Sequence, residues 1–486
     1  MLPSGDPLAA VEQAGFWLQG YRQSRSTDPL RVYEAVDRLD DLVQPHHLAL
    51  MREYLEAGGR MQTYREQRLW QAAVTYARAL ADGYTDCLRL CQGAGASGSG
   101  MLVPILAARA MRALTLELRW ALVRYGAVDE VIWARMGALF AACERPGVAM
   151  LRFKIYPAMA GESTVRREYL RALILSVSAM GNLLPAAQVV AERIIASLAE
   201  FFLLHRQPAA GCHFAVDLQD KLPPYRITES MSQAPSVRFF GPGDAGVMIE
   251  GYLRQMSGKR AVPSQLGLDR GFAPKLVSDV LQHLARHWGA KPPTRGEARH
   301  RVLATARVAH GFDNVLAAIA GTHGEREDEL TEAWTVENES VGGFGALIPT
   351  RDDDWLEVGR LVAAKPDWPS SWCVGVIRRM AARNPMHRAL GVEILARGGV
   401  GVQLTPLPGG DDVAPLPGIL LPTEAQTSLS GGEVELVLSR GTTAQLGACE
   451  MEVHGRRYRI GRLLIVDSGT DFEIARFALR NLAQDG

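Results

Sequence analysis

The spacing of apolar residues divides the chain into a helical first part and a strand-like last part. From Asp6 to about His205, apolar residues recur every three or four positions, which predicts amphipathic helices packed as an antiparallel bundle. From about residue 291 onward, short apolar segments are separated by glycine-rich turns, which is typical of small β-barrels. The pattern therefore predicts a multidomain α+β protein. An N-terminal all-α helical bundle is followed by a β-barrel and by a second small β-barrel or an extension of the first.

Changes in this pattern predict four parts along the chain: a helical bundle over 1–207, a mixed strand and helix connector over 208–290, a β-barrel over 291–400 and a second barrel-like domain over 401–486. Prolines predict further features within these parts. Asp28-Pro29 and Pro45 each predict the start of a helix, because Asp caps a helix and Pro is tolerated in its first turn. The stretch from Leu404 to Pro422 holds five prolines and predicts a linker.

Composition narrows the class of protein. The 486 residues are 47% hydrophobic, which is enough for sizeable cores, and 53 basic residues balance 53 acidic ones, so no global field favours nucleic acid or an acidic membrane. Six scattered cysteines suit a reducing compartment. The N-terminus has no signal-like pattern and no apolar run is of membrane length, so we expect a cytoplasmic protein without a transmembrane segment.

Motifs for enzyme chemistry are scarce. The chain has no HExxH, GxSxG or GxxxxGK[ST] pattern. Gly93 to Gly100 formally satisfies GxGxxG, but it follows a predicted helix instead of a strand, which favours a flexible connector. His283 and His287 have the spacing of two metal ligands on a helix, yet no third ligand is evident, which favours a partly solvated helix face. We therefore predict a protein that is not an enzyme and needs no metal or cofactor.

One stretch instead suggests an anion site. Arg295-Gly-Glu-Ala-Arg299 precedes a strand-like segment and then Asn338-Glu-Ser340-Val-Gly-Gly343. Two guanidiniums in a flexible lead-in can fold over a ligand, since each offers paired donors to phosphate oxygens or to a guanine edge. Asn338 and Ser340 are two residues apart on an extended chain and so share a face, while Gly343 lets the backbone turn or approach a ligand closely.

In this order of motifs, residues 291 to 400 resemble the PilZ domain, a small β-barrel family that binds cyclic di-GMP through RxxxR followed by D/N-x-S-x-x-G. The resemblance implies that Arg295 and Arg299 embrace the ligand phosphates and stack on guanine. It also implies that Asn338, Ser340 and Gly343 line the barrel wall that receives a guanine. His300-Arg301 offers a second register for the basic cluster, so both residues join the predicted ligand site.

The sequence therefore predicts a signalling receptor for cyclic di-GMP, in which an ordered lead-in changes the arrangement of the domains or their contacts with a partner. The resemblance implies an output in motility, biofilm formation or exopolysaccharide production. We also expect a protein partner bound through the helical domain, no nucleic-acid partner because the formal charge is balanced, and a possible homo-oligomer. The alternative is a scaffold whose barrel has lost the ligand and only binds proteins. A hydrolase or transferase within the helical half is a third hypothesis.

Overall fold

The computed structural model describes residues 3, 5–23, 28–57, 61, 63–93, 101–156, 161–228, 234–259, 261–268, 271–291, 300–321, 330–340, 342–349, 355–366, 372–384, 386–407, 414–422, 432–444, 446–453 and 455–481. The chain divides into two compact units, Met1–Thr294 and Arg295–Gly486. The four parts suggested by the sequence are a finer division, and their separate folding stays a prediction.

The first unit is mainly helical, as its apolar periodicity predicts. Its helices are α1 (Pro7–Gln23), α2 (Pro29–Ala57), α3 (Thr63–Gly93), α4 (Leu102–Val123), α5 (Val131–Glu144), α6 (Val165–Val177), α7 (Pro185–Ser197), α8 (Asp244–Lys259) and α9 (Pro274–Trp288). A four-stranded antiparallel sheet in the order β1-β4-β2-β3 lies within the same unit; its strands are β1 (Leu203–His205), β2 (Phe214–Asp217), β3 (Tyr225–Arg226) and β4 (Val237–Gly241).

Proline has different effects at two positions of α2. At its start the sequence prediction holds, because the Asp28 carboxylate accepts the Leu30 backbone N–H at 3.1 Å and Pro29 occupies the first turn. The predicted helix start at Pro45 is wrong, since α2 continues through it to Ala57. Pro45 removes one hydrogen bond of the helix. The apolar face of α2, with Val36, Val43 and Leu50 in the core, holds the two halves together.

A buried carboxylate organises the interior of the bundle. Asp40 of α2 is 2% exposed and accepts the hydroxyls of Tyr84 at 2.7 Å, Tyr156 at 2.8 Å and Tyr76 at 3.3 Å. Burial raises the pKa of Asp40, and the three tyrosine hydrogen bonds oppose that rise. The buried Arg109 also binds the Tyr84 hydroxyl, at 3.1 Å. The polar groups therefore link elements that are distant in the sequence.

A second buried polar contact joins α2 to α4. The Trp120 indole N–H donates to Nε2 of His47 at 2.8 Å, so this imidazole nitrogen carries no proton. Burial and the nearby Arg119 lower the pKa of His47 to about 3. His47 is therefore neutral in the folded protein at any pH near neutrality.

We expect acid to destabilise the first unit through His47. The unfolded chain binds a proton at this residue below about pH 6.5 and the folded chain does not, so the contribution of His47 is complete above pH 6.5 and is lost as pH falls toward its folded pKa. The slope is about 1.4 kcal/mol per pH unit. Denaturant unfolding at pH 6.5 and at pH 4.5, followed by the helical signal, measures the change in the free energy of unfolding.

The matched variants are His47→Gln and His46→Gln. His47→Gln removes the titrating group and is expected to reduce the loss of unfolding free energy between the two pH values by roughly 2–3 kcal/mol. His46→Gln changes the neighbouring, half-buried histidine and should keep the dependence of the wild type. An identical acid dependence in wild type and His47→Gln would contradict the assignment.

The second unit consists of two closed six-stranded β-barrels. The first barrel has the strand order β10-β7-β6-β5-β8-β9 and the second barrel β11-β12-β13-β16-β15-β14. The strands are β5 (His300–His310), β6 (Glu332–Ser340), β7 (Gly343–Pro349), β8 (Leu361–Pro366), β9 (Cys373–Asn384), β10 (His387–Arg397), β11 (Val400–Leu407), β12 (Leu416–Leu421), β13 (Gly432–Ser439), β14 (Ala448–Val453), β15 (Arg456–Ser468) and β16 (Phe472–Asn481). The predicted fold class, helices followed by two barrels, is confirmed.

Two local predictions in this unit need correction. The stretch from Leu404 to Pro422 is not a linker, because it contains strand β12 and the second half of β11; Pro406 and Pro417 lie in these paired strands. Helix α10 (Phe312–Ala320) stands where the sequence suggested strand followed by a polar loop. The polar stretch from Thr322 to Asp328, which its composition predicts to be an inserted loop, lies outside the described residues.

The two barrels share a hydrophobic core. Phe312 and Val315 of α10 pack in one buried cluster with Val374 and Val376 of the first barrel and with residues of the second barrel that include Phe472. Hydrogen bonds that involve backbone groups join the barrels as well. The carboxylate of Asp471 accepts the Leu361 backbone N–H at 3.1 Å, and the Thr470 N–H donates to the Gly359 carbonyl at 3.0 Å. The second barrel is therefore packed against the first.

Candidate functional site

The basic lead-in ends at the first strand of the first barrel. Arg295 and Arg299 lie outside the described residues. His300 and Arg301 open β5 and are exposed, and the strand register sets His300 opposite Glu339 and Arg301 opposite Asn338. Directly opposite residues of an antiparallel pair project from the same face of the sheet. The barrel thus brings the end of the basic segment beside the asparagine of the second motif.

Asn338 faces the outside of the barrel. It pairs with Gly345 of β7, which alternates with Phe344 and Ala346, and both of these side chains are buried in the barrel. The register shifts between Val336 and Asn338. Across this irregularity the strand changes from burying Trp334 and Val336 to directing Asn338 outward.

The glycine opposite Asn338 makes room for its amide. A Cβ atom placed on Gly345 would lie 2.8 Å from both Oδ1 and Nδ2 of Asn338. No side chain therefore fits at this position unless the amide moves away. The absence of a side chain at Gly345 leaves the space that the Asn338 amide occupies.

Ser340 and Gly343 close the turn between β6 and β7. The Ser340 hydroxyl donates to the Gly343 carbonyl at 3.1 Å, and the two residues are opposite each other in the register. A Cβ atom on Gly343 would lie 2.3 Å from the Val392 carbonyl of β10, so only glycine allows this close approach of the strands. In this structure, Gly343 approaches a neighbouring strand.

An ion-paired acid borders this turn. Glu393 of β10 pairs with Gly343 in the register, and its carboxylate accepts the Arg378 Nε–H at 2.6 Å. Arg378 also binds Asp467 of the second barrel. Burial opposes the charge on Arg378, but Asp467 and Glu393 outweigh it and raise the pKa of the guanidinium. The negative charge of Glu393 is therefore balanced by Arg378 at the edge of the site.

Other candidates for chemistry have structural roles. The imidazole of His283 contacts the Ser178 carbonyl at 2.7 Å and lies 4.4 Å from the His287 ring, between ring centroids. The His310 ring stacks on Trp355 with centroids 3.6 Å apart, and burial followed by Arg360 lowers the pKa of His310 to about 4. Within the described part of the chain, no group of three or more His, Cys, Asp or Glu side chains is arranged to hold a metal ion.

The sequence did not single out the residues beyond Asn338 on this face. The register continues from Gly345 to Gly391 of β10 and from Gly391 to Arg379 of β9. Arg379 shares the four-residue spacing to Arg383 that recurs elsewhere in the chain, so spacing alone gave no reason to choose it. Only the order of the strands brings Arg379 into line with Asn338 across the sheet.

Among the helices that the structure describes, none is long and apolar enough to cross a membrane. A comparison of the whole chain with curated proteins found no match. The barrel's resemblance to the PilZ domain stays a prediction. Residues 1–209, which are less than half of the chain and include α1 to α7, are similar to a known family: they match the model described as the N-terminal domain of the cyclic-di-GMP receptor FimW.

Proposed function

We propose that the chain is a receptor for cyclic di-GMP, a binding protein without catalysis, and that the outer wall of the first barrel is a PilZ-like ligand site. One observation carries the proposal: the register of β5 and β6 sets Arg301 beside Asn338, so the basic lead-in enters at the asparagine and serine motif. The match of the helical part to a receptor domain for the same nucleotide supports it independently.

Covalent geometry limits how far the two lead-in arginines can be from this wall. Arg299 directly precedes His300, and Arg295 lies five residues before it. A fully extended chain of five residues spans at most about 18 Å. This reach allows both guanidiniums to approach a ligand that lies at Asn338.

The chemistry of the proposed site suits a doubly charged purine dinucleotide. Arg295 and Arg299 bind its phosphates and stack on guanine, with His300 and Arg301 adding donors at the start of β5. Asn338, Ser340 and the backbone at Gly343 receive a guanine edge through amide, hydroxyl and peptide groups. Closing the lead-in on the ligand changes the arrangement of the two units or their contacts with a protein partner, which is the receptor's output.

The test is a calorimetric titration of the full chain with cyclic di-GMP, with cyclic di-AMP and GMP as comparison ligands. We expect saturable binding of cyclic di-GMP. Binding of cyclic di-AMP should be much weaker, since groups arranged for a guanine edge are left unpaired by adenine. Absence of cyclic di-GMP binding would leave the scaffold alternative, in which the barrel only contacts proteins.

Gly345→Ala tests the role of Asn338 without removing it. The new Cβ displaces the asparagine amide, so we expect cyclic di-GMP affinity to fall by about tenfold, the value of one or two hydrogen bonds. The unfolding temperature should stay near that of the wild type, because only the end of a side chain must move. Gly342→Ala is the matched control, since nothing lies within 4 Å of its Cβ position. Equal affinity in both variants would argue against a ligand contact by Asn338.

A further inference from the structure

One row of residues crosses five neighbouring strands on the outside of the first barrel. Each member is directly opposite the next in the strand register, so all project from the same face. We name it the glycine row, and it runs in the order Arg301, Asn338, Gly345, Gly391 and Arg379. Its two ends are arginines, and Asn338 and two glycines lie between them.

The glycine row leaves backbone open to the outside at Gly391. Gly391 lies between Leu390 and Val392, whose side chains are buried inside the barrel, so it faces outward. A Cβ atom on Gly391 would meet only the Cβ of Arg379, at 3.3 Å. The Asn338 amide covers Gly345, so Gly391 alone leaves a strip of open backbone, about one strand spacing or 4.8 Å wide, between that amide and Arg379. A flat ring or a sugar-phosphate group can lie against such a strip.

Arg379 stands at the edge of this strip with its charge available. It is exposed, and among the described residues it has no hydrogen-bond or ion-pair partner. Its neighbour Arg378 is held by Glu393 and Asp467. The register of β9 and β10 shifts at this point, which gives the two consecutive arginines different surroundings. The Arg378 guanidinium binds Asp467 of the second barrel, whereas Arg379 lies on the same face as the glycine row.

We propose that Arg379 is a further ligand-binding residue, which contacts a phosphate of a cyclic dinucleotide lying across the strip between Asn338 and Arg379. This inference rests on the proposed function and extends its site from β5, β6 and β7 to β9 and β10. The guanidinium supplies paired donors to the phosphate oxygens at the opposite end of the row from the lead-in. The ligand is thereby held by arginines at both ends, with the Asn338 amide and Gly391 beneath it.

The experiment measures cyclic di-GMP affinity of the full chain by calorimetry at low and high salt. We expect Arg379→Ala to weaken binding by about tenfold or more at low salt and to make binding less dependent on salt, as loss of a phosphate contact does. Arg383→Ala is the control, because Arg383 is also exposed on β9 and lies outside the glycine row. It should bind like the wild type.

Gly391→Val tests the strip independently. Its side chain occupies the open space beside Arg379, so a loss of at least about tenfold is expected, with the unfolding temperature checked to show that the barrel is intact. If wild type binds and Arg295→Ala with Arg299→Ala does not, while Arg379→Ala binds like wild type, this inference alone is overturned. If wild type does not bind, the proposed function itself has failed.

Discussion

Replacing Arg295 and Arg299 together by alanine is expected to weaken cyclic di-GMP binding by about 100-fold or more, the largest effect on binding that the account predicts. Each arginine supplies charge-assisted hydrogen bonds worth roughly 1.5–3 kcal/mol, so two of them contribute roughly 3–6 kcal/mol. Because the interaction joins guanidiniums to phosphates, the loss should be greatest at low ionic strength. Calorimetric titration of both proteins with the same ligand stock gives the ratio of the two dissociation constants.

The matched control removes the same charge from another place. Arg456→Ala with Arg457→Ala changes two exposed arginines at the start of β15, in the second barrel, and lowers the net charge by the same amount. We expect it to bind cyclic di-GMP like the wild type. A similar loss in both double variants would indicate general attraction by positive charge instead of a specific contact, and would contradict the assignment of the lead-in arginines.

The largest effect on stability is expected at Asp40. Asp40→Ala leaves the hydroxyls of Tyr76, Tyr84 and Tyr156 without their shared acceptor in the bundle interior. An unsatisfied buried hydroxyl costs about 1–3 kcal/mol, so we expect the free energy of unfolding to fall by about 3–5 kcal/mol. Denaturant unfolding followed by the helical signal, at a pH where the wild type is fully folded, measures this loss.

Two further substitutions separate hydrogen bonding from charge. Asp40→Asn keeps the volume and one acceptor oxygen, so its loss should be clearly smaller than that of Asp40→Ala. Asp41→Ala removes a neighbouring carboxylate that is exposed on the same helix, and it should change the free energy of unfolding by less than about 0.5 kcal/mol. Equal losses for Asp40→Ala and Asp41→Ala would refute the structural role of the buried carboxylate.

The class of fold could be predicted because it depends on patterns that extend over many residues. A period of three to four residues in the first part and short alternating segments in the last part determine which faces are buried. Predictions that depended on single residues were wrong where tertiary packing outweighs the local preference of the residue. Pro45 lies inside α2, and Pro406 and Pro417 lie within paired strands. In each case the cost of one proline is smaller than the gain from burying the rest of the element.

Helix α10 had a local signal that was missed. Gly311 with a positive φ precedes it, Asp313 lies in its first turn, and its apolar residues have helical spacing. The strand-like segments on both sides led to the prediction of β-structure throughout this stretch. Its apolar face packs in one core with strands of both barrels, and the residues from the second barrel lie about a hundred or more positions later in the sequence.

The candidate site was predictable as a motif but not as a surface. Short spacing indicated that Asn338 and Ser340 share a face. The contribution of Gly391 and Arg379 depends on strand order, since β10 lies next to β7 and β9 follows it. Register irregularities near Arg301 and Val336 also decide which residues become neighbours. A residue inserted into a strand leaves no clear sign in a single sequence, and each such shift exchanges the inner and outer faces.

Hydrogen exchange of the full chain, with and without saturating cyclic di-GMP, tests the central claim most directly because it locates the ligand. We predict slower amide exchange at residues 295–301 and 338–345 in the presence of the nucleotide, and little direct change on the outer face of the second barrel. Protection confined to Met1–Thr294, with residues 295–301 and 338–345 unchanged, would contradict a ligand site on the first barrel.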